Sequence, residues 1–194
     1  MKKFPQLLFA FYLVFFVVLG IEPYSRTVWY AENIPIVLIV GVLLLLWWRG
    51  IRFSNAAYFW MSILIFLHTI GGHYTFERVP FDWFNDLLGF ERNNYDRVAH
   101  FSVGFYAYPL LELSRRYQWI QNRYVFYLFP IFTIFTVASI YEIIEWLYAA
   151  FSDPTAGSAF LGSQGDIWDA QKDMLCDGSG SIFVAGIYAL FSKK

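Results

Sequence analysis

Four aspartates punctuate the last apolar stretch of the chain, in the run GDIWDAQKDMLCDGSGS from Gly165 to Ser181. A step of four residues on an α-helix turns about 40° past a full circle and rises about 6 Å, so Asp169, Asp173 and Asp177 share one face. Asp166 and Asp169 suit a helix N-terminus, where capping and the helix dipole account for acids without further function. Asp173 and Asp177 lie one and two turns deeper, beyond the reach of that account. Lys172 is near in sequence but points about 100° away from Asp173. A carboxylate column of this kind can bind a divalent cation or move protons.

Three further clusters carry related chemistry. In NNYDRVAHFSVG, Asp96 and His100 are four apart and form a two-ligand face for a metal; the plainer reading has Asp96 favouring the helix start and pairing with Arg97. In SIYEIIEW, Glu142 and Glu145 project to one side of an apolar run that has no Lys or Arg after Arg123. A carboxylate at the centre of a membrane helix costs roughly 2.5–3.5 kcal/mol, so this pair either binds a cation or holds a proton. In FLHTIGGHYTF, His68 and His73 lie on different faces unless Gly71-Gly72 breaks the helix. His68 is either a ligand or a hydrogen-bonded core histidine, and His73 suits the water interface. The Gly-Ser-Gly-Ser after Asp177 suits close helix packing. The single cysteine, Cys176, suits the same role and excludes an internal disulfide framework.

Together these residues predict a metal site made of Asp96, His100, Glu142, Glu145, Asp173 and Asp177, with His68 and Asp169 as additional candidates. Oxygen-dominated donors with one or two imidazoles suit Mn²⁺, Zn²⁺, Fe²⁺ or Mg²⁺ better than a soft metal. Glu142 and Glu145 are the candidate catalytic residues, one of them a general base toward a metal-activated water. No Walker motif, Rossmann glycine pattern, serine nucleophile elbow or His-Glu-x-x-His signature is present.

The elements that must position these groups are membrane helices. The chain has 194 residues, 58% of them hydrophobic, 23% aromatic and only 15% charged. That composition lies outside soluble usage and predicts an all-α, polytopic membrane protein forming one domain over residues 1–194. The net charge of −1 says nothing by itself about nucleic-acid or acidic partners; membrane lipids, and no nucleic acid, are the expected partners. Six apolar segments, at about 4–21, 34–48, 55–76, 98–114, 124–150 and 172–191, approach the roughly 20 residues needed to span hydrocarbon. The first also resembles a signal peptide, but it lacks a small-x-small cleavage pattern and is read as a retained helix. Residues 77–95 suit an interfacial helix or re-entrant cap, and residues 152–165 a flexible connection or lid.

Lys and Arg orient the bundle. Nine of the fourteen basic residues fall at the N-terminus, the 49–54 and 115–123 turns and the C-terminus, which the positive-inside rule makes cytoplasmic. Both termini are thereby predicted inside, and every acid except Glu112 falls in the outer half with all three histidines.

At DRVAHF, YEIIEW and GDIWDAQKDMLCDGSGS the sequence resembles the YjdF-like family of bacterial inner-membrane proteins over nearly the whole chain. That resemblance implies an inner-membrane, multi-helix protein and no particular reaction. A looser similarity is to VanZ-like membrane proteins, which pair an Asp-x-x-x-His near a helix start with a later acidic helix and then an Asp-rich helix followed by Gly. Asp96 with His100, Glu142 with Glu145, and Asp173 with Asp177 occupy the matching positions.

The leading expectation is a divalent-metal site at the periplasmic interface of the bacterial inner membrane, serving a hydrolase or transferase that acts on a lipid or lipid-linked head group. The alternatives are a cation- or proton-coupled transporter, whose acids should continue to the other face, and a non-catalytic scaffold whose acids pair with Arg92, Arg97 and Lys172.

Overall fold

The computed structural model describes residues 3–152 and 154–191, and within them the chain is all-helical. Lys2, Lys193 and Lys194, three of the basic residues at the termini, and the outer acid Asp153 lie outside the described residues. Helices α1 (Phe4–Leu19), α2 (Arg26–Trp48) and α3 (Asn55–Tyr74) come first, followed by the short α4 (Asp82–Leu88). Then come α5 (Tyr95–Val103), α6 (Ala107–Arg116), α7 (Arg123–Phe151), α8 (Pro154–Leu161) and α9 (Asp169–Phe191).

Local chemistry sets the helix ends. Ser25 opens α2 by accepting the Val28 amide at 3.4 Å, and Ser54 opens α3 by accepting that of Ala57 at 3.1 Å. Asn122 opens α7 by accepting the amides of Tyr124 and Val125. Thr75, at φ 59°, turns the chain out of α3 in the left-handed conformation.

Among the described residues, three helices are long and apolar enough to cross a membrane: α2 with 23 residues, α7 with 29 and α9 with 23. This corrects the count of six, for three different physical reasons. Helix α1 is apolar but has only 16 residues. Helix α3 has 20 residues, but Ser62, His68, Thr69 and His73 dilute its hydropathy, and the first three of these are buried against the other helices. The segment expected at 98–114 is broken into α5 and α6 by a 3-10 turn at Gly104–Tyr106. The connection expected at 152–165 also contains helix α8, whereas residues 77–95 hold α4 as a short cap of seven residues.

The central element is α9, which packs on α5, α6 and α7. Glycines on both sides permit the contact: Gly180 of α9 lies against the Phe101 carbonyl of α5, Gly178 of α9 against the Phe135 ring of α7, and Gly104 of the 3-10 turn against the backbone around Ser181. Below the acids, Phe105, Ala107, Ile134 and Val184 form an apolar cluster joining α6, α7 and α9. Tyr12, Ile36 and Ile65 join α1 to α2 and α3, and the Tyr12 hydroxyl meets Thr69 Oγ1 at 3.1 Å. Outward-facing Val14, Leu38, Ile140, Ile143 and Leu190 are exposed, as expected of a surface whose solvent is lipid.

The two ends of the bundle are tied separately. At one end the Tyr24 amide donates to His73 O at 2.8 Å, and His73 Nδ1 lies 2.8 Å from Leu19 O. His73 therefore joins the ends of α1 and α3. At the other end Glu112 accepts the Ser54 amide at 2.9 Å and pairs with Arg116 at 2.7 Å.

Candidate functional site

The N-terminal ends of α5 and α9 lie side by side, and this brings two of the predicted motifs together. Donor atoms of Asp96, His100 and Asp173 all fall within 4.8 Å of one another. His100 Nε2 is 3.6 Å from Asp96 Oδ1 and 3.8 Å from Asp173 Oδ1, while His100 Nδ1 is 3.3 Å from both Asp177 oxygens. Asp177 thus stands behind the ring and Asp96 and Asp173 in front of it. His100, Asp173 and Asp177 are buried, at 9%, 2% and 1% exposure.

Above this group lies a rim of ion pairs. The Arg97 guanidinium donates to Asp173 and Asp169, and Arg92 donates to Asp169 at 2.7 Å. Lys172 reaches outward to Asp166 at 2.6 Å. Asp166 also accepts the Trp168 amide at 3.1 Å and closes the turn into α9, as a helix-start acid should. Lys172 and that amide hold the Asp166 carboxyl below the usual carboxylate range. The basic residues therefore meet Asp166, Asp169 and Asp173 Oδ1, and Arg97 also approaches Asp96 Oδ2 at 4.0 Å, as the plainer reading of Asp96 expected.

The remaining acids face two neighbouring spaces. A cavity of about 260 Å³ is lined by Glu32, His68, Asp96, His100, Tyr141, Glu145 and Asp177, with apolar Ile36, Leu64, Val103, Val137 and Ala138 deeper in. Phe160, Leu161 and Gly162 cover part of it from α8 and the turn that follows. A more open groove is lined by Glu142, Glu145, Trp146, Leu161, Ser163, Asp166 and Asp169. Glu145 and Leu161 border both spaces. Glu142 Oε1 is buried without a hydrogen-bond partner among the described residues.

The predicted residues therefore separate. Asp96, His100, Asp173 and Asp177 converge; Asp169 belongs to the arginine rim; Glu142 and Glu145 stand at the neighbouring groove and are not part of the three-residue donor group. His68 lies apart from His100, with its Nε2 3.1 Å from Glu32 Oε2. Glu32 is only 2% exposed and was not among the predicted site residues. Beginning the second helix at residue 34 left this acid in a loop. The signal that could have found it is Ser25, a sound N-cap followed directly by helical periodicity.

Residues 4–194 match the family described as "Predicted membrane protein (DUF2238)". The chain is 33% identical over 178 residues to "Inner membrane protein YjdF" of Escherichia coli (strain K12), covering 89% of this chain and 82% of that protein. No solved structure matches it.

Proposed function

Because the chain belongs to the DUF2238 family of predicted membrane proteins, we propose that it is a multi-pass inner-membrane protein holding a divalent cation between Asp96, His100 and Asp173. In this reading it hydrolyses or transfers the head group of a lipid or lipid-linked substrate. The observation that carries the reading is the posture of His100. Its Nδ1 faces Asp177 at 3.3 Å, which leaves Nε2 toward Asp96 and Asp173. A carboxylate behind a histidine, fixing the tautomer and the ring, is the usual outer support of an imidazole that ligates a metal.

The chain's own residues then divide the work. Asp96, His100 and Asp173 supply donors, and Asp177 orients. A divalent ion of the Mn²⁺, Zn²⁺, Fe²⁺ or Mg²⁺ class would contribute Lewis-acid activation of water or of a phosphoryl oxygen. Glu142 and Glu145 border the groove beside the cavity, and Glu145 borders both, so a head group seated in the groove lies against both glutamates, and either can take a proton. Trp146 is exposed beside them, at a depth suited to the lipid interface.

On this reading the positive-inside rule, applied to the basic 49–54 and 115–123 turns, puts the acids on the periplasmic side. Transport is less well supported, because the deeper cavity lining is apolar and Glu112, at the other end, is taken up by Ser54 and Arg116.

Metal analysis of detergent-purified protein tests the reading. About one equivalent of divalent metal bound near Asp96, and lost in Asp96→Asn and His100→Gln, is expected. Less than about a tenth of an equivalent, unchanged in a Glu142→Gln/Asp173→Asn double variant, would end it.

A further inference from the structure

Glu32 sits on α2 two turns from its start, 2% exposed, in a helix whose remaining inward-facing residues are mostly apolar. A carboxylate taken out of water needs compensation, by a counter-charge, by hydrogen bonds or by a metal. No Arg or Lys pairs with it among the described residues. Its neighbour is His68 of α3, itself only 9% exposed.

The two meet without bonding well. His68 Nε2 and Glu32 Oε2 are 3.1 Å apart, yet the approach is out of line for a hydrogen bond, and both atoms are buried with no hydrogen-bond partner. The Tyr141 hydroxyl, buried and likewise without a partner, borders the same cavity, as does Glu145. Unmet polar atoms of Glu32, His68 and Tyr141, from three helices, thus line one space of about 260 Å³ together with Glu145, which is room for an ion and its waters.

We propose that Glu32 and His68 form a second divalent-cation site, in the cavity shared with the Asp96–His100 cluster and separated from that cluster by Tyr141. The separation suits coordination better than pairing: two donors 3.1 Å apart, each about 2.1 Å from an ion, subtend about 95° at it. Tyr141 divides the two sites evenly, its ring centroid 6.5 Å from that of His68 and 6.5 Å from that of His100. Glu145 can complete the set from the groove side, with the phenol holding a coordinated water. One imidazole among oxygen donors selects Zn²⁺ or Mn²⁺ over Ca²⁺. The site uses none of the three residues assigned to the first ion, so the two assignments stand or fall separately.

The experiment is a titration of chelator-stripped, detergent-solubilised full-length protein with Zn²⁺ against a competing chromophoric chelator, with total metal counted by mass spectrometry. Wild type should take up about two equivalents, Glu32→Gln and His68→Gln about one each, and Asp96→Asn/His100→Gln also about one. The variant missing the second site should keep the wild-type elution profile. Two equivalents retained in both Glu32→Gln and His68→Gln overturns the inference. So does a wild-type stoichiometry of one that is lost in Asp96→Asn/His100→Gln, a result that leaves the proposed function intact. One equivalent lost only with Glu32 or His68 upholds this site and overturns the first. If the single variants fail to fold, the number of equivalents held by the wild type still decides, because fewer than two with the Asp96 site filled excludes a second ion.

Discussion

His100 and Asp177 face each other across 3.3 Å, with Nδ1 of the ring set evenly against both carboxylate oxygens. Asp177 is 1% exposed and two turns into α9, too deep for the helix dipole to account for it. On the proposed reading its work is to hold the ring with Nε2 forward. Asp177→Asn should keep the fold, since an amide oxygen can still accept from Nδ1, while metal affinity falls about 10- to 100-fold. Competition titration of the two proteins checks this; equal affinity would remove Asp177 from the centre.

Arg97 is the rim residue whose loss should act in two directions. Its guanidinium holds Asp169 and Asp173 together while its side chain is only 12% exposed. Breaking a buried pair by deleting one partner strands the other charges, so Arg97→Ala should lower stability in detergent by about 3 kcal/mol. Arg97→Lys should recover little of it, because one ammonium cannot reproduce the planar fork. Freed of the guanidinium, Asp173 becomes a better ligand, so divalent-ion affinity should rise in the same variant. Loss of both stability and affinity would instead make Arg97 a support of the metal residues.

The legible parts of this molecule were those governed by local rules. Asp166 read correctly as a helix-start acid because capping is settled within one turn. The glycines after Asp177 read correctly as a close-packing surface because few other roles suit small residues on a membrane helix. Asp96 and His100 could be paired because both lie on α5. What failed needed three dimensions: Arg92 and Arg97 reach Asp169 across more than 70 residues of sequence, so the acidic surplus looked larger than it is. Glu32 lies before residue 34, where the unbroken apolar run begins, but inside α2, which starts eight residues earlier, at Arg26, behind its Ser25 cap. The count of crossings erred because an apolar run does not show where the helix stops or breaks: α1 ends after 16 residues, and the 98–114 segment is interrupted by the 3-10 turn at Gly104–Tyr106.

The seam between α5 and α9 makes a sharper prediction about packing. A methyl group on Gly180 would collide with the Phe101 carbonyl, and one on Gly104 with the Ser181 amide nitrogen; both obstacles are backbone and cannot rotate aside. Gly180→Ala should therefore cost about 1–3 kcal/mol or more and displace the His100–Asp177 contact one turn away. Gly186, on the same helix, has open space within 4 Å of where a methyl would sit and is the control: Gly186→Ala should be neutral or slightly stabilising. Equal thermal midpoints for the two variants in detergent would show that the seam is looser than drawn.

Asp166 supplies the pH test. Lys172 at 2.6 Å, with the Trp168 amide at 3.1 Å, holds its carboxyl below the ordinary value. A carboxyl whose folded value is depressed adds stability above its unfolded value of about 3.9, and that contribution disappears as pH falls through the lower folded value. The group stands at the rim, so added salt should shrink the effect. Melting measured between pH 6 and pH 2.5 should therefore show a wild-type decline at the acid end that is shallower in Asp166→Asn, with Lys172→Gln intermediate. Asp166→Asn should already be the less stable protein at pH 6 and should approach wild type as the pH drops. Parallel curves for the two proteins across the whole range would mean that the Lys172 contact makes no difference to folding, leaving the start of α9 to be held by Arg92 and Arg97 alone.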